Sequence, residues 1–215
     1  MKNRFFTGVI NVSKINFKQV TLALLGVLML QSCARSKLTP IPPQGTILAF
    51  GDSLTAGVGV ESPQSYPSVL SELSGRQVIN AGVSGEVTAE GLERLPEVLE
   101  ETNPTVLILL EGGNDILRNQ DPEATKQNLA AMIELAQASE VEVVLIGVPA
   151  KTLLSNVMPL YKELAKEYQL AFEDDLVASL LRQSEYKSDE VHFNEQGYRV
   201  MAESIHELLV DEGAL

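Results

Sequence analysis

The sequence predicts an α/β protein with a flavodoxin-like, three-layer α/β/α fold around a five-stranded parallel sheet. Short apolar runs alternate along the chain with longer amphipathic stretches. The apolar runs are continuous, which is typical of strands covered on both faces. This regular alternation of strand and helix indicates parallel strands joined by helical crossovers, with helices on both faces of the sheet.

Five apolar runs are predicted to form the strands. They occupy residues 46–50, 77–81, 105–110, 141–148 and 170–172. Five strands in this arrangement favour the order 2-1-3-4-5. A sheet of this kind binds its ligand beyond the carboxyl ends of the strands, so chemistry is expected in the loops that follow them.

Six stretches between and after the strands have a helical pattern. They cover residues 66–74, 88–100, 122–139, 159–168, 176–183 and 195–209. Asp121 precedes Pro122, which puts a capping side chain before a proline at the first helical position. Asn194 is expected to cap the last helix in the same way.

Length and composition narrow the class of protein. A chain of 215 residues fits one domain plus an appendage. The net charge of −13 argues against nucleic acid as a partner, because phosphate binding needs a basic surface. A single Cys excludes a disulfide framework and a Cys-rich metal site, and two His leave little room for a His-based one. We therefore expect no metal and no cofactor.

Residues 1–33 have the layout of a bacterial secretory signal peptide. They contain no acidic residue, four basic residues and then an apolar run over residues 20–30. That run is shorter than the about 20 residues needed to span a bilayer. A basic stretch followed by a short apolar stretch is typical of an export signal.

The end of this signal offers two cleavage sites. Leu30-Gln31-Ser32-Cys33 resembles a lipobox, in which Cys33 would be lipidated and begin the mature chain. Ordinary cleavage after Ala34 is the alternative, and we favour the lipobox because the single Cys lies there. Residues 34–45 are predicted to be a proline-containing tether, and residues 46–215 the folded domain. The expected location is the bacterial envelope, with the protein lipid-anchored to a membrane or, after the alternative cleavage, soluble in the periplasm.

Polar residues cluster where the predicted strands end. Ser53 follows the first strand, Gly85 the second and Asn114 the third, while Asp189 and His192 lie in the loop before the last helix. A serine needs a base to become a nucleophile, and His192 is the candidate. Asp189 is expected to accept the other ring N–H and fix the tautomer. The Gly85 N–H and the Asn114 amide are candidate donors to an oxyanion.

Each of these residues alone also fits a turn or a surface loop. Their joint occurrence, in this order and each at the end of an element, favours catalysis. Asp115 fits either turn capping or support of the site, and we favour the structural role.

The motifs Gly51-Asp52-Ser53-Leu54, Gly85, Gly113-Asn114-Asp115 and Asp189-x-x-His192 resemble the four blocks of the GDSL, or SGNH, hydrolases. The resemblance spans about residues 47–209. It implies the SGNH-hydrolase fold, Ser53 as nucleophile, His192 as base and Asp189 as its orienting partner. It also implies an oxyanion hole made of the Ser53 N–H, the Gly85 N–H and the Asn114 side chain.

Two further details refine this resemblance. Residues 80–85 followed by 91–96 look like the thioesterase/lysophospholipase/arylesterase branch. Phe193 stands where Pro or Leu is more usual, which we expect to affect loop packing only. The chain has no G-x-S-x-G, so the α/β-hydrolase elbow is absent.

The resemblance implies an exported serine esterase that hydrolyses acyl or aryl esters, including lysophospholipids, through an acyl-enzyme. Two alternatives are an O-acetylesterase acting on carbohydrates or cell-wall glycans, and a non-catalytic envelope lipoprotein. The complete set of blocks argues against the latter. The apolar residues Leu153, Leu154 and Val157 follow the fourth strand, and we expect them to line an acyl channel or to pack onto the core.

Overall fold

A parallel sheet of five strands forms the centre of the protein in a computed structural model, which describes residues 38–150 and 156–215. The strands are β1 (Thr46–Gly51), β2 (Gln77–Gly82), β3 (Val106–Leu110), β4 (Glu142–Ile146) and β5 (Ala171–Glu173). Their order is β2-β1-β3-β4-β5, and every pairing is parallel. The predicted fold class and strand order are confirmed.

Helices cover both faces of this sheet. In the described part of the chain they are α1 (Ser53–Ala56), α2 (Tyr66–Ser74), α3 (Thr88–Thr102), α4 (Gly113–Leu117), α5 (Pro122–Ala138), α6 (Pro159–Glu167), α7 (Leu176–Leu181) and α8 (Glu195–Asp211). Two short 3₁₀ turns occupy Ser62–Gln64 and Ser184–Tyr186. The six predicted helices are present within two residues at each end. The sequence pattern missed α1 and α4 because helices of four and five residues are too short to display a period.

Burial explains why β1 and β3 read as continuous apolar runs. All five residues of β3, and all but the first of β1, are buried between the helical layers. The fourth strand is shorter than predicted, because Val148 is buried in the following loop and lies outside the ladder with β5. The apolar residue Val148 therefore indicated burial and not strand pairing.

Side-chain caps begin two helices as predicted. The Asp121 carboxylate accepts a hydrogen bond from the Glu123 N–H at 3.1 Å at the start of α5. The Asn194 side chain accepts one from the Gly197 N–H at 3.0 Å at the start of α8. The second cap matters for the site, because α8 follows the loop that contains His192.

The described part of the predicted tether, residues 38–45, packs on the domain. Leu38 and Ile41 are buried, and their N–H groups donate to the Glu212 and Ala214 carbonyls, both at 2.8 Å. Burial of these two apolar side chains stabilises the packed segment, and a free tether would lack this stabilisation. The predicted signal peptide, Cys33 and residues 34–37 lie outside the described residues. Among the helices of the described part, none is long and apolar enough to cross a membrane.

Candidate active site

Ser53 lies at the carboxyl edge of the sheet because β1 turns directly into α1. The Asp52 carboxylate accepts a hydrogen bond from the Leu54 N–H at 3.0 Å and so caps this short helix. Gly51 allows β1 to approach β3 closely at this point, since a Cβ there would lie 2.1 Å from the Leu110 carbonyl oxygen. The result is a serine at the first position of a helix, with its backbone N–H among those left free by the helical ladder.

A chain of hydrogen bonds joins Ser53 to two residues more than a hundred positions away. His192 Nε2 lies 3.0 Å from Ser53 Oγ, and His192 Nδ1 lies 2.7 Å from Asp189 Oδ2. The other carboxylate oxygen of Asp189 accepts the N–H groups of Val191 and His192, both at 2.9 Å. One oxygen of Asp189 therefore shapes the loop while the other orients the imidazole.

Asp189 is ionised at neutral pH. Its hydrogen bond with His192, reinforced by the Val191 N–H, lowers the pKa of the Asp189 carboxyl to about 2. About half of the Asp189 side chain is exposed, whereas the His192 side chain is 18% exposed. A carboxylate that stays charged favours the tautomer with a proton on Nδ1, which leaves Nε2 free to accept the proton of Ser53.

A buried aromatic residue anchors the loop that carries His192. Phe193 is fully buried and meets the Tyr198 ring edge-on, with ring centroids 5.6 Å apart. The adjacent backbone is closed by the Ser188 N–H, which donates to the His192 carbonyl at 3.0 Å. The unusual residue after the histidine thus packs the loop into the core and leaves the imidazole facing Ser53.

The two other predicted site residues come from loops after β2 and β3. Gly85 has φ +85°, a conformation that favours glycine, in a turn closed by a 3.2 Å bond from the Glu86 N–H to the Val83 carbonyl. Asn114 is the second residue of α4, and its Nδ2 donates to the Glu86 carbonyl at 2.9 Å. One amide hydrogen of Asn114 therefore ties the two loops together, and a longer contact of 3.5 Å joins the same nitrogen to Asp52 Oδ2.

Three buried carboxyl groups lie beneath these loops: Asp52, Glu86 and Glu111. Burial raises the pKa of Asp52 to about 6, and burial and the nearby charge of Asp52 raise the pKa of Glu111 well above its ordinary value. Arg94 donates to both oxygens of Glu86 at 2.8 and 2.7 Å and lies 4.1 Å above the Phe50 ring. Of these residues only Asp52 and Arg94 lie in the motifs described above, and nothing in the sequence indicated that the group meets.

Asp115 serves structure in the described part of the chain. Its buried carboxylate accepts hydrogen bonds from the Thr88 N–H at 2.9 Å, from the Thr88 hydroxyl at 2.5 Å and from the Thr125 hydroxyl at 3.2 Å. These bonds join the start of α3 to α5. The structural role favoured from the sequence is therefore the observed one.

A largely apolar cavity of about 110 Å³ opens beside Ser53. Its lining consists of Asp52, Ser53, Leu54, Gly113, Asn114, Ile116, Leu117, Val148, Pro149, Ala150, Val177, Ala178, Leu181, Glu190 and Val191. Val157 is not in this lining; it is buried, with a methyl group 2.4 Å from where a Cβ on Gly147 would stand. Of the two roles expected for these apolar residues, Val157 has the second: it packs onto the core, because the chain returns there toward β4. Leu153 and Leu154 lie outside the described residues.

Within residues 38–150 and 156–215, no group of three His, Cys, Asp or Glu side chains is arranged to hold a metal ion. The functional atoms of the site are a hydroxyl, an imidazole, a carboxylate and amide N–H groups. A hydrogen-bonded Ser–His–Asp chain at the carboxyl edge of this sheet, outside a nucleophile elbow, defines a serine-hydrolase type of site on an SGNH-hydrolase fold.

Comparison with known proteins identifies the family. The chain belongs to the GDSL-like lipase/acylhydrolase family, whose profile matches residues 49–200. It is 33% identical over 132 residues to Thioesterase 1/protease 1/lysophospholipase L1 of Escherichia coli K12, covering 58% of this chain and 64% of that protein. It is 31% identical over 175 residues to an arylesterase of Vibrio mimicus, covering 76% of this chain and 88% of that protein.

A solved structure agrees with the fold. The crystal structure of TesA matches with a TM-score of 0.67 and 28% sequence identity, covering 78% of this chain and 99% of that chain. By sequence, the aligned region spans less than two thirds of the length of the E. coli relative. The family resemblance and the SGNH-hydrolase fold predicted from the motifs are confirmed.

Proposed function

We propose that this protein hydrolyses carboxylic esters through an acyl-enzyme on Ser53. One observation carries this proposal: the Ser53–His192–Asp189 chain, with contacts of 3.0 and 2.7 Å, opens onto an apolar cavity. A base within hydrogen-bond reach of a serine, itself oriented by a carboxylate, is the arrangement that activates a hydroxyl nucleophile.

Acylation begins when His192 Nε2 takes the proton of Ser53 Oγ as that oxygen attacks the ester carbonyl carbon. The carbonyl oxygen becomes an oxyanion and accepts hydrogen bonds from the Ser53 N–H, the Gly85 N–H and Asn114 Nδ2. The protonated His192 then gives its proton to the leaving alkoxide or phenoxide as the carbon–oxygen bond breaks. Asp189 remains ionised and stabilises the imidazolium throughout.

Deacylation repeats these steps with water. His192 takes a proton from water as its oxygen attacks the acyl carbonyl, and the same three donors hold the second oxyanion. The intermediate collapses with return of the proton to Ser53 Oγ. The products are a carboxylic acid and the free enzyme.

The lining of the cavity supports an acyl or aryl ester as substrate. The side chains Ile116, Val177 and Leu181 offer an apolar surface to a hydrocarbon group, and each buried CH₂ would contribute about 0.8 kcal/mol. The names of the relatives, a thioesterase/lysophospholipase and an arylesterase, agree with this class. The same surface offers few polar partners to the hydroxyl groups of an acetylated sugar.

Export and a lipid anchor form part of the proposal. Residues 1–33 would be the signal, and lipidated Cys33 would hold the domain at a membrane of the bacterial envelope. Replacing Cys33 by Ser should move the protein from the membrane to the soluble fraction or block its processing, because each acyl CH₂ contributes about 0.8 kcal/mol of membrane binding. Fractionation and intact mass measure this. A wild-type mature chain that begins at Arg35 without lipid mass would support cleavage after Ala34 instead.

The activity is tested with p-nitrophenyl esters from acetyl to palmitoyl and with lysophosphatidylcholine. Replacing Ser53 by Ala should abolish turnover and labelling by a fluorophosphonate, because no hydroxyl remains to form the acyl-enzyme. Ser204→Ala, on α8, is the matched control and should keep both. Turnover retained by a Ser53→Ala protein with unchanged circular dichroism would contradict the proposal.

A further inference from the structure

Arg118 bridges the two segments that carry the proposed oxyanion donors. It lies directly after α4, and its backbone N–H donates to the Asn114 carbonyl at 2.9 Å. Its guanidinium Nη2 reaches across to the Gly85 carbonyl at 2.8 Å. The segment with Gly85 and the segment with Asn114 are thereby joined outside the Ser53–His192–Asp189 chain.

Apart from its turn, Gly85 has little packing around its α-carbon. A Cβ built on Gly85 would meet only Arg118 Nη2 within 4 Å, at 3.6 Å, so no other described atom covers that side of its α-carbon. Its positive φ and missing side chain leave the backbone more freedom than any other residue type would have. Hydrogen bonds must therefore limit its motion.

The residue after Gly85 is anchored much more firmly. Glu86 is buried, its carboxylate is paired with Arg94, and its carbonyl accepts the Asn114 amide at 2.9 Å. These contacts hold the exit of the turn against the body of the domain. The peptide between Gly85 and Glu86 is held at both of its polar groups: the Glu86 N–H donates to the Val83 carbonyl at 3.2 Å, and the Gly85 carbonyl accepts from Arg118 at 2.8 Å. Of these two bonds, the one from Arg118 is the bond made to Gly85 itself.

We propose that Arg118 is a positioning residue: by holding the Gly85 carbonyl it limits rotation about the Gly85 α-carbon and so keeps the Gly85 N–H where it meets the oxyanion. The inference rests on the proposed function, since it needs a reaction that forms an oxyanion. A preorganised donor stabilises the transition state because it needs no reorientation when charge develops. Arg118 is exposed and would act without touching the substrate.

The test compares Arg118→Met, Arg118→Lys and the wild type on a neutral ester, p-nitrophenyl butyrate, and an anionic one, the mono-p-nitrophenyl ester of glutaric acid. For Arg118→Met we expect kcat to fall about tenfold on both esters, since misplacement of a catalytic group by about 1 Å can cost as much as 10². KM should stay within about twofold, because the ground-state carbonyl gains little from the donor. Arg118→Lys should recover part of kcat, because an ammonium can still donate to the Gly85 carbonyl.

A boronic acid provides a readout that a purely structural role would not change. Butylboronic acid adds to the active serine as a tetrahedral anion, so its Ki should rise in Arg118→Met by the same factor as kcat falls. Arg199→Met, an exposed arginine on α8, is the matched control and should leave kcat, KM and Ki unchanged.

Three results would overturn the role of Arg118: an unchanged kcat in Arg118→Met, a rise in KM confined to the anionic ester, or a loss of activity that follows a lowered Tm. The second result would mean that Arg118 binds substrate, and the third that it only stabilises the fold. Ser53→Ala is measured in parallel. Ester turnover that persists there contradicts the proposed function, whereas turnover that depends on Ser53 and ignores Arg118 contradicts this inference alone.

Discussion

Asn114 combines two tasks in one side-chain amide. One Nδ2 hydrogen donates to the Glu86 carbonyl at 2.9 Å and so locks the loop after β2 against α4. The same nitrogen makes a longer contact of 3.5 Å with Asp52 Oδ2, and Asn114 lines the cavity beside Ser53. We propose that the bond to Glu86 preorganises this amide as a donor to an oxyanion.

Replacing Asn114 by Ala should lower kcat by about 10²–10³, the usual effect of losing one oxyanion donor. KM should change little, since the missing bond forms mainly in the transition state. Steady-state kinetics on p-nitrophenyl butyrate measures both values. An unchanged kcat would restrict Asn114 to holding the loop.

Asp189 is proposed to act on His192 through its negative charge. Its pKa is lowered to about 2. The carboxylate is therefore ionised at neutral pH and becomes protonated only as the pH falls through about 2. Replacing it by Asn should lower kcat by about 10²–10⁴, because the amide orients the wrong tautomer and cannot stabilise an imidazolium.

The pH–rate profile between pH 4 and 9 separates this role of Asp189 from a merely local one. No ionisation of Asp189 should occur in that range in the wild type. The Asp189→Asn protein should therefore be slower than the wild type across the whole range, since the wild-type carboxylate stays ionised throughout it. A kcat identical to that of the wild type across this range would contradict the assignment.

Among the helices, α7 contributes three residues to the wall of the cavity that we propose as the substrate site. This helix supplies Val177, Ala178 and Leu181 to the cavity, and Ile116 on α4 and Val148 after β4 also line it. The sequence pattern pointed to the loop after β4, because apolar residues at the carboxyl edge suggest a pocket wall. Pro149 and Ala150 of that loop line the cavity, Val157 does not, and Leu153 and Leu154 lie outside the described residues. Helix α7 was predicted as a helix, but its period does not tell which of its faces borders a cavity.

Shortening Leu181 should change chain-length preference. Replacing Leu181 by Ala removes apolar surface from the cavity, and we expect kcat/KM for octanoyl esters to fall about five- to tenfold and for acetyl esters less than about twofold. The short acyl group does not extend to this wall. A series of p-nitrophenyl esters measures the difference.

Val157→Ala is the matched control for that experiment. Because Val157 is buried and outside the cavity lining, its truncation should lower Tm and leave the ratio of octanoyl to acetyl activity unchanged. An equal loss on both esters in Leu181→Ala would contradict an acyl wall at α7.

A buried carboxyl group beneath the active site affects the free energy of unfolding of the whole protein. Glu111 is fully buried, and its Oε1 has no hydrogen-bond partner in the part of the chain that the structure describes. Burial and the neighbouring charge of Asp52 raise its pKa. The folded protein therefore holds a proton on Glu111 in a pH range where the unfolded chain has released it.

This difference predicts the pH dependence of stability. A raised folded-state pKa means that the contribution of Glu111 is fully favourable only below its ordinary pKa and declines as the pH rises above it. The free energy of unfolding should fall between pH 5 and 8. Replacing Glu111 by Gln should flatten that decline and raise Tm at pH 8 by at least about 2–4 °C, the equivalent of about 1 kcal/mol.

Thermal unfolding at pH 5 and pH 8 measures the effect. Glu97→Gln, an exposed residue on α3, removes the same charge without burial and is the control. Parallel pH dependences in wild type and Glu111→Gln would mean that Glu111 is not the source of the decline.

From the sequence alone came the five strands, six of the eight described helices, the strand order and the four blocks of the site. These follow from local rules: strand and helix periods, caps at Asp121 and Asn194, and the rule that parallel strands direct their loops to one edge. Ser53 and His192 are 139 positions apart. They could still be assigned to one site together with Asp189, because each of the three residues lies in a recognisable block at the end of an element.

Which side chains meet across those blocks could be read only from the folded chain. The pairing of Arg94 with Glu86, the bridge from Arg118 to Gly85 and the wall formed by Leu181 all depend on distances between separate segments. Such distances result from how helices pack on the sheet, and no local pattern records them. The periodic pattern of a segment shows which of its residues are buried, but which residues they contact depends on how the whole chain packs.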